Sequence, residues 1–200
     1  ITDQRGCTLE QSVIVNSASG MTVAISNNVS VSCFGGSNGT ATVNVTGAKA
    51  PMTFSWSPVG GSDSVATNLQ AGIYSVEIND DNGCTTIQQV EILQPDQLSI
   101  VSTADSVSCY GGNNGRLEAN ASGGTRPYTY LWTPSGGTDS IATNLLAGNY
   151  SVRVTDSRNC STTQSATVLQ PTRLAVISSV VNSTCGLANG EVNLSPSGGN

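Results

Sequence analysis

The sequence matches itself when displaced by 76 residues, and no other feature limits its fold so tightly. The displacement places Cys33 on Cys109, Pro51 on Pro127 and Trp56 on Trp132 without a gap. It also places Gly72 on Gly148, Tyr74 on Tyr150, Cys84 on Cys160 and Gln94-Pro95 on Gln170-Pro171. Both ends carry partial copies. Asp3 to Thr8 (DQRGCT) resembles Asp80 to Thr85 (DDNGCT), and the run from Cys185 resembles the run from Cys109 with one deletion. The expected organisation is therefore residues 1–20 as the end of a preceding repeat, 21–95 as repeat 1, 96–171 as repeat 2 and 172–200 as the start of a following repeat. The parent protein is expected to be longer. In such an array each unit buries its apolar faces within itself or against its neighbours, so stability is local and nearest-neighbour in character.

Within each repeat, apolar and polar residues alternate in period two between turn signals, which is the pattern of half-buried strands. Repeat 2 predicts strands at Leu98–Val101, Gly115–Ala121, Tyr128–Trp132, Ile141–Leu145, Tyr150–Thr155 and Thr162–Leu169. No window shows helical periodicity with caps. Six or seven short strands in about 76 residues fit a small sandwich, so the fold class is all-β: tandem immunoglobulin-like β-sandwich repeats. Trp56 and Trp132 sit on the third strand, where a sandwich places its core aromatic. Tyr128, Tyr130 and Trp132 share a face, with Tyr128 the most exposed by its position. Gly72 and Gly148 are expected to set tight turns.

Composition removes several functions. With 7 Lys+Arg, no His and a formal charge of −6, the chain lacks the clustered cations that neutralise phosphates, so no nucleic-acid partner is expected. No stretch approaches the ~20 apolar residues of a membrane helix, so no membrane insertion is expected. No Ser has a base beside it, and Glu10, Glu77, Glu91, Glu118 and Glu191 are scattered rather than paired. No catalytic residue and no enzyme activity are expected. Asp80, Asp81 and Asn82 form an acidic loop, but repeat 2 replaces it with Asp156-Ser157-Arg158-Asn159. One carboxylate beside an Arg is far from the six to eight oxygens that calcium takes, and turn chemistry explains these residues without metal. No cofactor is expected, and calcium is the only one the loop leaves open.

The motifs Cys33-Phe-Gly-Gly-Ser-Asn-Gly-Thr, Gly124-Thr-Arg-Pro-Tyr-Thr-Tyr-Leu-Trp, Ala147-Gly-Asn-Tyr-Ser-Val, Asp80-Asp-Asn-Gly-Cys and Leu93-Gln-Pro together resemble the SprB repeat. The resemblance covers nearly the whole chain. It implies a very large surface protein of Bacteroidota, such as a gliding-motility adhesin exported by type 9 secretion. The implied location is extracellular, at the cell surface. The implied role is a structural or adhesive filament segment whose partners are neighbouring repeats, with lateral or end-to-end self-association and contact with polysaccharide or other surfaces as further partners. Its rivals are a glycan-binding adhesin module and an inert spacer carrying a distal domain. Placement in that phylum also implies O-glycosylation at Asp-Ser-apolar motifs, here at Ser64, Ser106 and Ser140.

The six cysteines, Cys7, Cys33, Cys84, Cys109, Cys160 and Cys185, lack the C-x-x-C spacing of a zinc site and are read as disulfides in an oxidising compartment. Three patterns respect the repeat. One is internal, Cys33–Cys84 with Cys109–Cys160. One crosses each linker, Cys7–Cys33, Cys84–Cys109 and Cys160–Cys185. One joins a repeat to the next, Cys33–Cys160, leaving the other four to pair elsewhere. An immunoglobulin-like strand order disfavours the internal bond, but the sequence leaves that order inferred and the choice open.

Overall fold

The computed structural model describes residues 4–6, 8 and 20–199. It divides into two compact units, Ile1–Val31 with Gly35–Leu93, and Ser32–Phe34 with Gln94–Asn200.

In the first unit, six strands form two antiparallel sheets. Strands β1 (Thr22–Val29), β2 (Gly39–Thr46) and β4 (Val65–Leu69) make one, in the order β1-β2-β4. Strands β3 (Thr53–Ser57), β5 (Gly72–Asn79) and β6 (Thr85–Ile92) make the other, in the order β3-β5-β6. The chain therefore changes sheet between β2 and β3, β3 and β4, and β4 and β5. That is the sandwich connectivity of immunoglobulin-like domains, reduced to six strands. Alternation dictates the core. Ala41 and Val43 of β2, and Tyr74, Val76 and Ile78 of β5, point inward in period two and meet Trp56, Ala66, Leu69, Val90 and Ile92.

The second unit repeats this plan with strands β7 (Ser99–Asp105), β8 (Gly115–Ser122), β9 (Thr129–Thr133), β10 (Ile141–Leu145), β11 (Gly148–Thr155) and β12 (Ser161–Val168). Its sheets run β10-β8-β7 and β12-β11-β9. Leu117, Ala119, Trp132, Ala142, Leu145, Tyr150, Val152, Val154 and Val168 fill its core. The unit ends in a two-stranded ribbon, β13 (Thr172–Val181) with β14 (Glu191–Gly199).

Local chemistry fixes each sandwich. The indole N–H groups of Trp56 and Trp132 donate to the carbonyls of Asp63 and Asp139 at 2.9 and 3.0 Å. Gly60 and Gly136 let the backbone lie against these rings. A Cβ at Gly136 would meet Trp132 Cβ at 2.9 Å. The hydroxyls of Tyr74 and Tyr150, near the starts of β5 and β11, donate to the carbonyls of Gln70 and Leu146 at 3.2 and 3.0 Å. This is the tyrosine corner of sandwich folds. Gly72 and Gly148 close the two-residue connections from β4 and β10 and open β5 and β11, and Gly72 has φ 155°. Asn68 and Asn144, at φ 56° and 58°, lie within β4 and β10, where the register against β2 and β8 shifts. Asn tolerates that conformation because its short amide bonds locally.

Candidate functional site

The chemistry of this chain is concentrated in two kinds of loop that carry the cysteines. The first kind precedes the last strand of each sandwich. In the loop before β12, Asp156 is buried and its carboxylate acts as a brace. Oδ1 accepts the N–H groups of Arg158 and Cys160, both at 2.9 Å, and Oδ2 accepts that of Thr125 at 2.8 Å. Burial opposes its ionisation, but these amide donors outweigh burial and hold the carboxyl below its ordinary value. Asp80 does the same before β6. It accepts from Lys49 at 3.2 Å, Cys84 at 2.9 Å and Asn82 at 3.0 Å, and the amides of Lys49 and Cys84 lead in lowering its pKa. Cys84 and Cys160 therefore leave their loops in the same local frame. Both oxygens of each carboxylate are occupied by amides. Among the described residues, no three His, Cys, Asp or Glu side chains gather as a metal set.

The second kind of loop joins the first two strands of each sandwich. Val107 N–H donates to Leu169 O at 3.0 Å, just before Cys109, and Val31 N–H donates to Leu93 O at 3.0 Å, just before Cys33. Side chains tie the loop as well, as repeat 2 illustrates. Asn114 accepts from Ser108 N–H and donates to Ser108 Oγ, both at 3.0 Å, and the side-chain oxygen of Gln170 accepts the Gly111 N–H at 3.0 Å. The Gln of the Gln-Pro motif thus clasps the cysteine loop, a role that spacing alone does not reveal.

Strand order decides the cysteine chemistry. Cys109 lies by the far end of β12 and Cys160 at its near end. An eight-residue strand spans roughly 26 Å, whereas bridged Cα atoms stay within about 7 Å. The internal pairing is therefore closed off by geometry. The structure instead joins Cys33 to Cys160, with Cα atoms 5.7 Å apart across 127 residues of sequence. The segment Ser32–Phe34 belongs to the second unit accordingly. Cys84, Cys109 and Cys185 are exposed free thiols, and Cys7 lies outside the described residues. The linker-crossing bond Cys84–Cys109 is not formed.

The disulfide lines a cleft of about 420 Å³ with Phe34, Gln97, Leu98 and the run Asn159–Thr162. A cleft of about 400 Å³ sits beside Cys109, lined by Tyr110, Arg173 and Leu174 among others. These four residues are Cys33, Phe34, Gln97 and Leu98 displaced by one repeat. Phe34 and Tyr110 are 52% and 56% exposed, a repeated surface aromatic that the sequence reading overlooked. Their distance from the strand periodicity was the available signal.

The remaining sequence candidates are placed plainly. Trp56 and Trp132 are buried. Tyr128 is half-buried rather than exposed. Its hydroxyl donates to Gly123 O at 2.6 Å, and the Arg126 guanidinium lies 5.4 Å from its ring centroid. Ser106 is exposed, whereas Ser64 and Ser140 are half-buried. The carbonyls of Ser64 and Ser140 accept the N–H groups of Val43 and Ala119, at 3.0 and 2.8 Å.

Both sandwiches contain a segment that matches the SprB repeat, at residues 25–61 and 101–137. Each SprB match runs from the first strand through the Trp strand and takes in the early cysteine loop. No curated protein matches the chain. Among solved structures, the chain is similar to one titled crystal structure of DIP-gamma IG1+IG2, at 13% identity and TM-score 0.40, covering 76% of this chain and 98% of that one. It is similar to surface layer protein SbsC, domains 1-6, at 14% identity and TM-score 0.36, covering 90% and 37%. It is also similar to a structure titled structural basis for Dscam isoform specificity, at 14% identity and TM-score 0.33, and spans 46% of that chain.

Proposed function

We propose that this chain is a structural and adhesive segment of an extracellular surface filament, built from tandem SprB repeats. The observation that carries the reading is the Cys33–Cys160 disulfide, which closes 127 residues of sequence and ties one repeat to its successor in the chain. Persistent disulfides belong to oxidising compartments. A covalent link between successive repeats is the property a load-bearing stalk needs. The absence of helical periodicity, the neutral Ser/Thr/Asn/Gly surface and the two SprB matches support the same reading. Its finer form is an adhesin involved in gliding or attachment, exported by type 9 secretion and O-glycosylated at Ser64, Ser106 and Ser140. Of these, Ser106 is the exposed residue, and Ser64 and Ser140 are half-buried.

Antibody raised against this chain and applied to unpermeabilised cells tests the location. The expected result is filamentous surface label that disappears after external protease. Label seen only after permeabilisation overturns the reading. A second function, glycan gripping, draws on the repeated exposed aromatics Phe34 and Tyr110, since rings of this kind stack on sugars. A glycan array probed with the intact protein separates the two, because specific binding lost in a Tyr110→Ala variant would make the segment a lectin rather than a stalk.

A further inference from the structure

We propose that the staple is propagated as an interlaced ladder: Cys109 bonds the late cysteine of the repeat that follows, and Cys84 the early cysteine of the repeat that precedes. This inference rests on the filament reading and adds its covalent connectivity.

Three observations carry it. First, two of the three free thiols are the 76-residue equivalents of the two bonded sulfurs, Cys109 of Cys33 and Cys84 of Cys160. Second, their local frames agree. The amides of Cys84 and Cys160 each donate to Oδ1 of the bracing aspartate at 2.9 Å, and Cys33 and Cys109 each follow a valine whose N–H donates at 3.0 Å to the leucine before a Gln-Pro. Third, the cleft beside Cys109 is the repeat counterpart of the one beside Cys33 but lacks one wall. Around Cys33, the residues Phe34, Gln97 and Leu98 form one side of the cleft and the late loop Asn159–Thr162 the other, with the disulfide between them. Around Cys109, the equivalent Tyr110, Arg173 and Leu174 line a cleft of about 400 Å³ with no late loop on its other side. The wall that fits is a loop of the Asp156–Cys160 type. The ribbon β13–β14 points to its source. Leu174, Val176, Val192 and Leu194 are exposed there, yet they are the equivalents of Leu98, Ile100, Leu117 and Ala119, which pack into the repeat 2 core. The remaining strands of a third sandwich cover that face and bring its late loop.

Each bond forms by thiol–disulfide exchange. One thiolate attacks a small-molecule or enzyme disulfide and expels a thiolate. The second cysteine then attacks the mixed disulfide and expels the other. Two protein thiols lose two protons and two electrons, and the donor leaves as two thiols. The connectivity has a mechanical consequence. With loops of 127 residues repeated every 76, successive loops overlap, and the shortest covalent path runs along only 25 residues, Cys84 to Cys109 or Cys160 to Cys185, for every two repeats. Strands β2 to β5, between Cys33 and Cys84, lie off that path.

The test is a disulfide map of the intact surface protein, alkylated before denaturation and digested without reductant. The expected spectrum contains Cys109 linked to a cysteine 127 residues C-terminal and Cys84 linked to one 127 residues N-terminal. Alkylated Cys109 and Cys84, or a Cys84–Cys109 peptide, overturns the ladder. Such a result in protein recovered from the cell surface leaves the filament reading standing, whereas protein absent from the surface defeats that reading first. Pulling the intact protein gives a second readout. At ~3.4 Å per extended residue, reductant should raise the maximal extension roughly sixfold. An extension that reductant leaves unchanged refutes the load path.

Discussion

At the scale of single residues, the two bracing aspartates make stability depend on pH in a definite direction. Their folded-state pKa values are depressed, by amide donors that overcome burial at Asp156 and chiefly by the amides of Lys49 and Cys84 at Asp80. A carboxyl depressed on folding adds stability that is complete above its unfolded value of ~3.9 and is lost as pH falls through the folded value. The thermal midpoint should therefore be flat near neutrality and fall below about pH 4. Asp156→Asn should lower the midpoint at pH 7 and flatten the acid slope for the Trp132 sandwich; an unchanged slope would show that the brace contributes nothing. Steric limits are equally local. Gly136 has φ 127° and its absent Cβ would meet both Trp132 Cβ and Ala142 Cβ at 2.9 Å. Gly136→Ala should cost roughly 1–3 kcal/mol from strained backbone alone, read as a shift in the urea midpoint of Trp fluorescence. Trp132→Ala, which empties the core beside it, should cost about 3–5 kcal/mol.

At the scale of elements, the register shift near the end of β4 and β10 is where a side chain decides a backbone. Asn68 and Asn144 hold a left-handed conformation that β-branched residues resist by roughly 1–2 kcal/mol. Asn144→Gly should leave the urea midpoint near its original value, and Asn144→Val should lower it by that amount; equal midpoints would mean the strand rearranges freely there. This irregularity also marks the boundary of what the sequence pattern carries. Strand positions were legible because alternation and a 76-residue shift act on every strand at once, and β8 and β10 begin at the residues the pattern indicates. The Trp strand was legible for the same reason. The glycines at the starts of β5 and β11 are legible as turn residues, whereas the left-handed asparagines are not, because a register shift inside a strand depends on the neighbouring strand. Strand periodicity carries the direction of the Tyr128 side chain but not the Gly123 carbonyl that accepts its hydroxyl and keeps it half-buried. The disulfide remained open among three patterns because it depends on which end of β12 each loop occupies. That is a property of strand order, which no local spacing contains.

At the scale of the molecule, the Cys33–Cys160 bond encloses all strands from β2 to β11, so both tryptophans report on one covalent loop. A cross-link that closes 127 residues restricts the unfolded chain far more than the folded one. In the chain-entropy model a loop of that length is worth roughly 5 kcal/mol, with engineered cases usually delivering less. The stabilisation acts through the unfolded ensemble, so it does not require that either core change shape. Single-tryptophan variants make this measurable, one retaining Trp56 and the other Trp132, each replaced elsewhere by Phe. With the bond intact, both should unfold at higher urea than with Cys33→Ser, because β3 and β9 both lie inside the loop. Cys84→Ser should leave both midpoints unchanged, since Cys84 carries no bond within these 200 residues. If Cys33→Ser moves only the Trp132 signal, the bond acts by holding the Ser32–Phe34 segment in the second unit and not by constraining the loop. A shift of both signals to the same extent would establish the loop as the agent. It would then follow that a stalk of such repeats gains stability from every staple that spans a given sandwich, two for each sandwich if the ladder is complete.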